Sequence, residues 1–489
     1  MIQISKSLPA DVRQAFPDLK FPLIDDYYTN IIYPCRDIYA GEPAWKTVKR
    51  SGLYSNGERQ MSVLNAAKLL CDELTALTFS EATEINISDS TLQEYIDGVL
   101  EDNGFYSNMP AWLGFAYAMG GGALKCYAVE GKPVIDYLNA DCFIPTEYDN
   151  RRITGGIFRS VSYIKSYYYT LLEHYSGGKV EYRLYKSGTD STLGAECPLS
   201  ELYDNNFPQS VDYGTEEPMF AYFRTASANN FSDCCLGLPI FYNSRDTLKS
   251  IDIAFDSYSR EFILGRKRII VPSSCIRTVV DPDTGNIKRY FDADDEVYQA
   301  LRCDEDKDLN VIDNTMTIRV DEHVNSINAL LNILCTQTGL SAGSLSFDRA
   351  GGVKTATEIV SENSRTFRTA KTHKNMLAET LKQLVRSLVA LGVYLGLCPD
   401  ISDYTVDVAF ADNVVEDDNT VIDNNIKLVQ AGLKSKIAAI MDIQKIDEAA
   451  AEKELQRIQS ESMQIVDDMA FDPSQSGEDA KKIIEGDAD

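Results

Sequence analysis

Two overlapping motifs near residue 283 contain residue types that acid catalysis and metal binding use. The triplet Asp283-Thr284-Gly285 matches the one with which aspartic proteases share a proton between two carboxylates. Asn286 follows it in a polar stretch without the apolar surroundings that such a pair needs, so a turn is predicted. The stretch also begins like a calcium-binding EF-hand loop, but glycine stands at the fifth position and the twelfth is Asp292 rather than a bidentate glutamate. Neither an acid protease nor a calcium site is predicted.

The other chemical candidates are a phosphate-binding loop and the histidines. Residues 351–355 read Gly-Gly-Val-Lys-Thr, but a phosphate loop needs glycine directly before lysine, and Val353 separates them. The chain has 3 histidines, His174, His323 and His373, and none lies in an HExxH motif or a zinc set with cysteine. We expect all of them on the surface or at interfaces. The sequence therefore predicts no enzyme, no cofactor and no metal site.

The composition is that of a globular chain with several modules. Its 489 residues exceed one ordinary compact domain, and 44% of them are apolar. The 11 cysteines include no CxxC pair, which favours reduced and mostly buried thiols. The N-terminal segment lacks the apolar core of a signal peptide, and no window is apolar over about 18 residues. We therefore expect synthesis in the cytoplasm and no membrane span.

The formal net charge of −27 argues against tight DNA binding, because proteins that grip nucleic acid neutralise phosphates with lysine and arginine. Residues 400–489 carry 8 of these cations against 22 carboxylates, so about half of the excess lies there. Two interpretations stay open. The charge could belong to a solvated acidic tail, or it could line a channel whose wall repels phosphate and keeps DNA from sticking.

A glycine-rich loop runs directly into a long predicted helix over residues 339–397. Four glycines free the loop backbone for tight turns: Gly339, Gly343, Gly351 and Gly352. Thr355 and Glu358 have the spacing of a capping box at a helix N-terminus. Apolar residues then recur every three or four positions and predict one buried face: Ile359, Phe367, Ala370, Leu377, Leu381, Leu384, Leu388 and Tyr394.

Two further predicted helices flank a small β unit. The first begins at residue 238 and ends at the basic cluster 265–268, where cations complement the helix dipole. Its predicted apolar face comprises Phe241, Ser244, Leu248, Ile251, Phe255, Tyr258 and Phe262. Residues 269–319 favour short strands, and a second helix over 320–340 brings the chain back. The segment therefore predicts a hairpin of two helices with a β head.

The N-terminal half predicts an α+β module. Residues 1–60 contain scattered prolines and look like a peripheral arm. Helices are predicted at 61–79, 91–100 and 109–119. After the triplet at 120–122 the period changes to two, and strands are predicted at 124–129, 133–138, 155–164, 167–176 and 179–187. Beyond the long helix, residues 403–410 predict an edge strand, followed by helices up to 469 and a disordered acidic tail.

In this order, the segments resemble the portal proteins of tailed double-stranded DNA phages. The loop before a helix that opens Thr-Ala-Thr-Glu is similar to that family's tunnel loop, and the helices of the predicted hairpin are similar to its two stem helices. The stretch GGGALKCYAVEGKPVIDYLNADCFIPTEYD is similar to its wing, with a glycine-rich turn, a hairpin and an Ala-Asp-x-Phe-x-Pro run. The resemblance covers most of residues 50–415.

The resemblance implies an α+β portal-protein fold of the siphophage type. Its parts would be an α+β wing over 1–235, a first stem helix over 236–268, a clip over 269–319, a second stem helix over 320–338, a tunnel loop over 339–353, a long wing helix with a strand over 354–415, and a helical crown with the acidic tail over 416–489. It also implies a dodecameric ring at the unique capsid vertex of the virion, through which double-stranded DNA is packaged and ejected. The clip would dock the terminase large subunit and then the head-to-tail adaptor, and the body would contact the major capsid and scaffolding proteins.

The same resemblance implies roles for particular residues. DNA would contact the tunnel loop without base readout through Ser344, Ser346, Phe347 and Arg349. Cations of the first stem helix would form belts around the bore, although solvated helix flanks are the alternative: Lys249, Arg260, Arg266, Lys267 and Arg268. The clip would dock its partners through Lys288, Arg289, Asp292, Asp294 and Asp295, for which solvated loops are the alternative. No nucleotide motor is encoded, so ATP hydrolysis would fall to another subunit.

Two other classes of protein stay open. A head-tail connector or another structural ring protein without a packaging role could share the acidity and the reduced thiols. It would not be expected to carry stem, clip, loop and long helix in this order. A DNA-processing enzyme would need a metal or nucleotide constellation, and the sequence does not show one.

Overall fold

The computed structural model describes residues 8–19, 21, 25–51, 56–150, 152–190, 192–204, 207–231, 234–265, 269–270, 277–280, 287–290, 312–313, 317–346, 356–410, 418–444, 446 and 450–458. The chain divides into two compact units, residues 1–351 with 362–411 and residues 352–361 with 412–489. Helices and strands are both abundant, and every described strand pair is antiparallel. The predicted α+β class is confirmed in its mixture of helices and strands.

The first unit opens with helices and one β-hairpin. These elements are α1 (Leu8–Ala15), α2 (Asp25–Tyr27), a π-helical turn (Tyr28–Ile32), α3 (Tyr33–Tyr39), β1 (Thr47–Ser51), β2 (Asn56–Gln60), α4 (Ala66–Thr78), β3 (Glu84–Ile87), α5 (Ser90–Asp102) and α6 (Phe105–Met119). The three predicted helices correspond to α4, α5 and α6. Their ends differ from the predicted ones by up to five residues, because capping and tertiary contacts decide where a helix begins.

The prediction that residues 1–60 form a peripheral arm is wrong. Tyr27 and Tyr28 are buried in the main core, and their hydroxyls donate hydrogen bonds to the carbonyls of Gly237 and Phe143. Pro34 does not interrupt the chain, because it occupies the first turn of α3, where a missing N–H costs no helical hydrogen bond. The N-terminal helices are therefore part of the core.

Two antiparallel sheets follow α6. Their strands are β4 (Gly121–Val129), β5 (Lys132–Asn139), β6 (Phe143–Asp149), β7 (Arg152–Ile164), β8 (Tyr167–Ser176), β9 (Lys179–Ser187), β10 (Ala195–Cys197), β11 (Ser210–Asp212) and β12 (Phe220–Arg224). One sheet has the order β10-β9-β8-β7-β6 with β11 also paired to β9, and the other has the order β12-β4-β5. Between them the rings of Phe143, Phe158 and Phe220 lie 4.9 to 5.5 Å apart. The predicted strands at 167–176 and 179–187 coincide with β8 and β9.

The glycine triplet joins α6 to β4. Gly120 caps α6 with a φ of +86°, which other residues rarely adopt, and a side chain there would lie 2.2 Å from the Gly237 carbonyl. Gly121 and Gly122 already belong to β4. Glycine is needed at position 120 because another backbone segment passes at close range.

The remaining elements of the first unit lead into the second. They are α7 (Arg245–Leu264), β13 (Ile269–Ile270), β14 (Arg277–Val280), β15 (Ile287–Tyr290), β16 (Ile312–Asp313), α8 (Val320–Thr338), α9 (Ala356–Leu395) and β17 (Val406–Ala409). α8 confirms the predicted second helix. The first helix was predicted from residue 238 but begins at Arg245, directly after a 3₁₀ turn at Tyr242–Ser244. Phe262, which was predicted on the apolar face, is 41% exposed.

α9 confirms the long helix and most of its buried face. Ala370, Leu377, Leu384 and Leu388 are all buried, whereas Tyr394 is 50% exposed, so its predicted place on the buried face is wrong. β17 confirms the strand predicted at 403–410 and pairs with β3. The sequence pattern did not reveal β3 as its partner.

The second unit contains α10 (Asp418–Gln430), α11 (Lys436–Gln444) and a helical stretch at 450–458. Lys434 Nζ, between α10 and α11, donates a hydrogen bond to Asn425 Oδ1 at 2.8 Å. The prediction of helices after residue 416 is thereby confirmed. Within the described residues of the chain, none of the helices combines the length and apolarity that crossing a bilayer requires.

Candidate functional site

α7 and α8 form an antiparallel hairpin that is held by polar contacts at both ends. Near the start of α7, Thr247 Oγ1 donates to Gln337 Oε1 in the last turn of α8 at 2.9 Å. Near the end of α7, Glu261 accepts hydrogen bonds from the backbone and side chain of Arg319, just before α8. The pairs β13–β16 and β14–β15 lie between the two helices in the chain. The predicted helical hairpin with β structure in its insert is confirmed.

Glu261 is the charged centre of the hairpin end that adjoins this insert. Its carboxylate accepts from Nε and Nη2 of Arg319 at 3.1 and 3.0 Å and from Nε2 of His323 at 2.7 Å. These hydrogen bonds, that of Arg319 first, lower the pKa of Glu261 to about 2. Because this value lies below the ordinary 4.5, the interaction stabilises the hairpin above pH 4.5 and is lost as the pH falls toward 2.

The substitution Glu261→Gln is expected to loosen this end of the hairpin, since Arg319 loses its charged partner. Amide hydrogen exchange at residues 317–323 should become a few-fold faster at neutral pH. Asp212→Asn is the matched control, because it removes an exposed carboxylate that pairs with Lys179 on a different part of the fold. Equal exchange in Glu261→Gln and wild type would show that Glu261 does not hold the hairpin.

Two buried carboxylates tie the middle of α7 to the β1–β2 hairpin and to the residues that flank it. Asp256 accepts both Nη groups of Arg59, at 2.7 and 2.8 Å, and a backbone amide at 3.0 Å. Asp252, one turn earlier, accepts from Trp45 Nε1 at 2.9 Å and from a backbone amide at 3.1 Å. α7 is therefore fixed to the rest of the unit through charge and hydrogen bonds as well as apolar packing.

Burial disfavours the charged form of both carboxylates, but the hydrogen-bond donors that oppose this effect differ. Burial raises the pKa of Asp252, and its two hydrogen bonds only partly oppose the shift. Burial also opposes ionisation of Asp256, but the hydrogen bonds and charge of Arg59 outweigh it and the pKa is lowered. Asp256 therefore carries a negative charge that depends on Arg59.

The start of the glycine-rich loop is pinned between α8 and α9. Gly339 ends α8 with a φ of +84°, and its carbonyl accepts from Thr369 Oγ1 at 2.7 Å. The amide of Ser341 donates to Thr366 Oγ1 at 2.8 Å, and the amide of Gly343 donates to an asparagine side chain of α8, also at 2.8 Å. Residues 339–343 therefore form a fixed base for whatever follows in the loop.

The predicted site residues fall into separate parts of the chain. Lys249 is exposed and Arg260 is partly exposed on α7, whereas Ser344 and Ser346 are partly buried in the loop. Three predicted residues lie in described helix or strand backbone, with side chains outside the described residues: Lys288, Arg289 and Glu358. The others lie wholly outside the described residues: Arg266, Lys267, Arg268, Asp292, Asp294, Asp295, Phe347, Arg349 and Thr355. The motif segments 281–286 and 351–355 also lie outside them.

The expectation that all histidines lie on the surface or at interfaces is wrong for two of them. His373 is 3% exposed and faces the ring of Tyr117 at 5.2 Å, and burial lowers its pKa to about 4. His174 is also buried and packs against Phe16 at 5.5 Å. His323 bonds to Glu261 in the helical hairpin. In the described part of the chain, no three or more His, Cys, Asp and Glu side chains group so as to hold a metal ion.

Sequence reasoning missed the polar residues that fix α7. Asp252 and Asp256 lie one turn apart beside the buried Leu248 and Ile251, and carboxylates at this spacing along an apolar stripe are a usable signal of buried acceptors. Their partners lie far away in the chain, so no local pattern identifies Arg59.

Hydrogen bonds and ion pairs fix the parts of the candidate site. These parts are a helical hairpin with an insert, a pinned loop and a helix of 40 residues. The sequence profile of the family described as "Phage portal protein, SPP1 Gp6-like" matches residues 23–468. The chain belongs to this family. It is thus a portal or connector component of a phage-type particle, and the family is structural rather than enzymatic.

Two solved structures are similar to the chain in fold. The structure titled "Neck of empty GTA particle computed with C6 symmetry" is 12% identical with a TM-score of 0.42, and the match covers 78% of this chain and 89% of that one. The structure titled "Virion of native gene transfer agent (GTA) particle" is 11% identical with a TM-score of 0.38, and the match covers 77% and 88%. No curated protein sequence matches the chain.

Proposed function

We propose that the chain assembles into a closed dodecameric ring at the unique vertex of a phage capsid. The ring forms the channel through which double-stranded DNA is packaged and later ejected. The observation that carries this proposal is the match to the portal family over residues 23–468. The antiparallel hairpin of α7 and α8 supports it, because helices of this length can line a bore when a heterologous interface closes by rotation.

In this proposal each part of the chain has a separate task. The stem, residues 236–268 and 320–338, lines the channel. The clip, residues 269–319, docks the terminase large subunit during packaging and then the head-to-tail adaptor. The wing, long helix and crown contact the major capsid and scaffolding proteins. The terminase supplies the ATP hydrolysis, and the docking contacts of the clip include Lys288, Arg289 and the carboxylates at 292, 294 and 295.

Contact with DNA is independent of sequence in this proposal. The chain carries a net charge of −27, so the bulk of the ring repels phosphate and DNA slides without adhering. Lys249 is exposed on α7, and Arg260 follows three turns later. Ring symmetry repeats each cation in every subunit, so a few stem cations suffice to form belts along the bore. The loop residues Ser344, Ser346, Phe347 and Arg349 contact the sugar-phosphate backbone.

Native mass spectrometry of the purified full-length chain, with class averages from negative-stain electron microscopy, tests the ring. We expect a closed assembly of about a dozen subunits with a central hole. A compact dimer without a pore would overturn the proposal. Binding of the ring to the cognate terminase separates a packaging portal from a connector or structural ring without a packaging role. A ring that does not bind terminase would favour a connector or structural ring without a packaging role.

The loop over residues 339–353 acts as a collar around DNA. Its base, residues 339–343, is fixed by α8 and α9. A Ser344→Cys variant cross-linked between neighbouring subunits is expected to block packaging in vitro, and the reduced variant should package normally. Undiminished packaging with the loop cross-linked would show that the loop does not gate DNA.

A further inference from the structure

A basic cleft lies in the first unit between the start of β7, the end of β12 and the middle of α9. Its volume is about 280 Å³, and a floor of Ile153, Tyr222 and Met376 makes it partly apolar. Four cations line it: Arg152, Arg224, Lys382 and Arg386. Such a concentration of positive charge stands out on a chain whose net charge is −27.

Two of these cations already have partners. Arg152 donates to Gln383 and lies 3.8 Å from a carboxylate oxygen of Glu217, and Lys382 pairs with Glu379 at 3.3 Å. Arg224 and Arg386 form no ion pair with any of the described residues. The cleft therefore presents two guanidinium groups to a ligand, and guanidinium groups bind carboxylates in a planar, bidentate geometry.

The size of the cleft indicates which anion it takes. Its volume lies just below the roughly 300–1,000 Å³ of sites that enclose drug-sized ligands, so it accommodates a few side chains rather than a nucleic acid duplex. The apolar floor favours the methylene groups of acidic side chains over a bare phosphate backbone. An acidic protein surface is the chemistry that fits.

The chain itself carries such a surface. Residues 69–124 contain neither lysine nor arginine. Within this stretch Glu94, Asp97 and Glu101 are exposed at helical spacing on α5, and the neighbouring β3–β17 pair adds the exposed Glu84 and Asp407. We call this surface the acidic face.

The acidic face and the cleft adjoin different sides of α9. α5 contacts α9 through the Tyr95 hydroxyl, which donates to the Leu388 carbonyl at 3.1 Å. A side chain at Gly392 of α9 would meet the Tyr95 ring, and this position follows Arg386 by six residues, about 120° away around the helix. A heterologous ring needs this arrangement, because each subunit must present two different complementary surfaces to its two neighbours.

We propose that the arginine cleft binds the acidic face of a neighbouring copy of this chain. The proposal rests on the ring described under Proposed function and specifies one of its interfaces. Because copies with a charge of −27 repel one another, a complementary contact offsets this repulsion and fixes the orientation of neighbours.

A charge swap tests this interface by native mass spectrometry of the full-length chain at low salt. Arg224→Glu/Arg386→Glu places carboxylates in the cleft opposite the acidic face, and Glu94→Lys/Glu101→Lys places two lysines opposite the arginines of the cleft. Like charges brought together at an interface cost several kcal/mol, so each variant is expected to lose ring population by about tenfold or more. The four changes combined in one chain restore opposite charges and are expected to restore rings. Lys49→Glu/Lys132→Glu is the matched control, since it makes the same change in net charge at two exposed lysines outside the cleft.

The outcomes separate this interface from the ring itself. Rings that persist in the cleft variant overturn the interface, as does a folded four-change variant that stays unassembled. The single variant Arg386→Glu is a second test that leaves β12 unchanged. A normal ring population in this variant also overturns the interface. A wild-type chain that never forms rings overturns the ring proposal and this interface with it.

Discussion

Lys125→Met is expected to lower the free energy of unfolding by about 3–5 kcal/mol, the largest effect of any single change outside the apolar core. Lys125 lies on β4 and its Nζ contacts Glu173 Oε2 on β8 at 2.6 Å, so the ion pair joins the two sheets. Both residues are buried, at 4% and 7% exposure. Removing the lysine leaves a carboxylate in the core with no cation to compensate it, and that desolvation cost is what destabilises the fold.

The double variant Lys125→Met/Glu173→Leu is the control, because it removes both charges and keeps the volume. Replacing a buried pair by apolar residues of similar size is often neutral, so the double variant should unfold close to wild type in urea. Equal losses in the single and double variants would mean that packing, rather than the unpaired charge, causes the effect.

The pH dependence of the stability is an independent test of the same ion pair. Burial alone would lower the pKa of Lys125, but the charge and hydrogen bond of Glu173 outweigh burial and the pKa is raised. A raised pKa means that the pair stabilises the fold fully below the ordinary value of 10.5 and that this stability is lost as the pH rises through the folded value. The double variant should not show this loss of stability at alkaline pH.

The elements that the sequence predicts well are those with a strong local period. α9 repeats apolar residues every three or four positions over ten turns. In such elements the chain's own pattern decides which face is buried. The exception at the end of α9, Tyr394, lies in the last turn, where its ring packs against Tyr213 at 5.0 Å and the rest is exposed. β8 coincides with its predicted bounds but buries every residue from Tyr169 to Tyr175 instead of alternating.

The N-terminal helices could not be predicted for the opposite reason. They are short, and their burial depends on contacts such as Tyr27 with Gly237, which lie 210 residues apart. A local pattern of prolines and aromatic residues is compatible with a surface arm and with a layer of the core. Long-range hydrogen bonds decide between these two structures, and a single sequence does not show such bonds.

In the candidate site too, the helices follow from local patterns, whereas the contacts that hold them depend on residues far apart in the chain. Helices at 245–264 and 320–338 follow from their periods, and the hairpin follows from their order. The residues that hold the hairpin, Glu261 with Arg319 and Asp256 with Arg59, are 58 and 197 positions apart. The sequence did not single out Arg59 or Arg319, and both bind carboxylates that are distant in the chain.

Arg59→Met is the second change with a large expected effect, about 3 kcal/mol in the free energy of unfolding. It leaves Asp256, 5% exposed on α7, with one backbone amide as its hydrogen-bond donor and the weaker charge interaction with Arg260. Arg59→Met/Asp256→Leu is the control, since it removes both charges and should recover most of the loss. The difference between the variants measures the coupling between the two residues.

The free energy of unfolding of Arg59→Met should also depend on pH in a different direction from that of wild type. In wild type the pKa of Asp256 is lowered, so its stabilising contribution is present above the ordinary value of 3.8 and is lost as the pH falls. Without Arg59, burial dominates and raises the pKa of Asp256, as it does for Asp252 one turn away. Protonation then relieves the buried charge, so Arg59→Met should gain stability relative to wild type as the pH falls from 7 toward 4. A deficit that stays constant over this range would show that Arg59 acts through packing and that α7 is not held to the β1–β2 hairpin by charge.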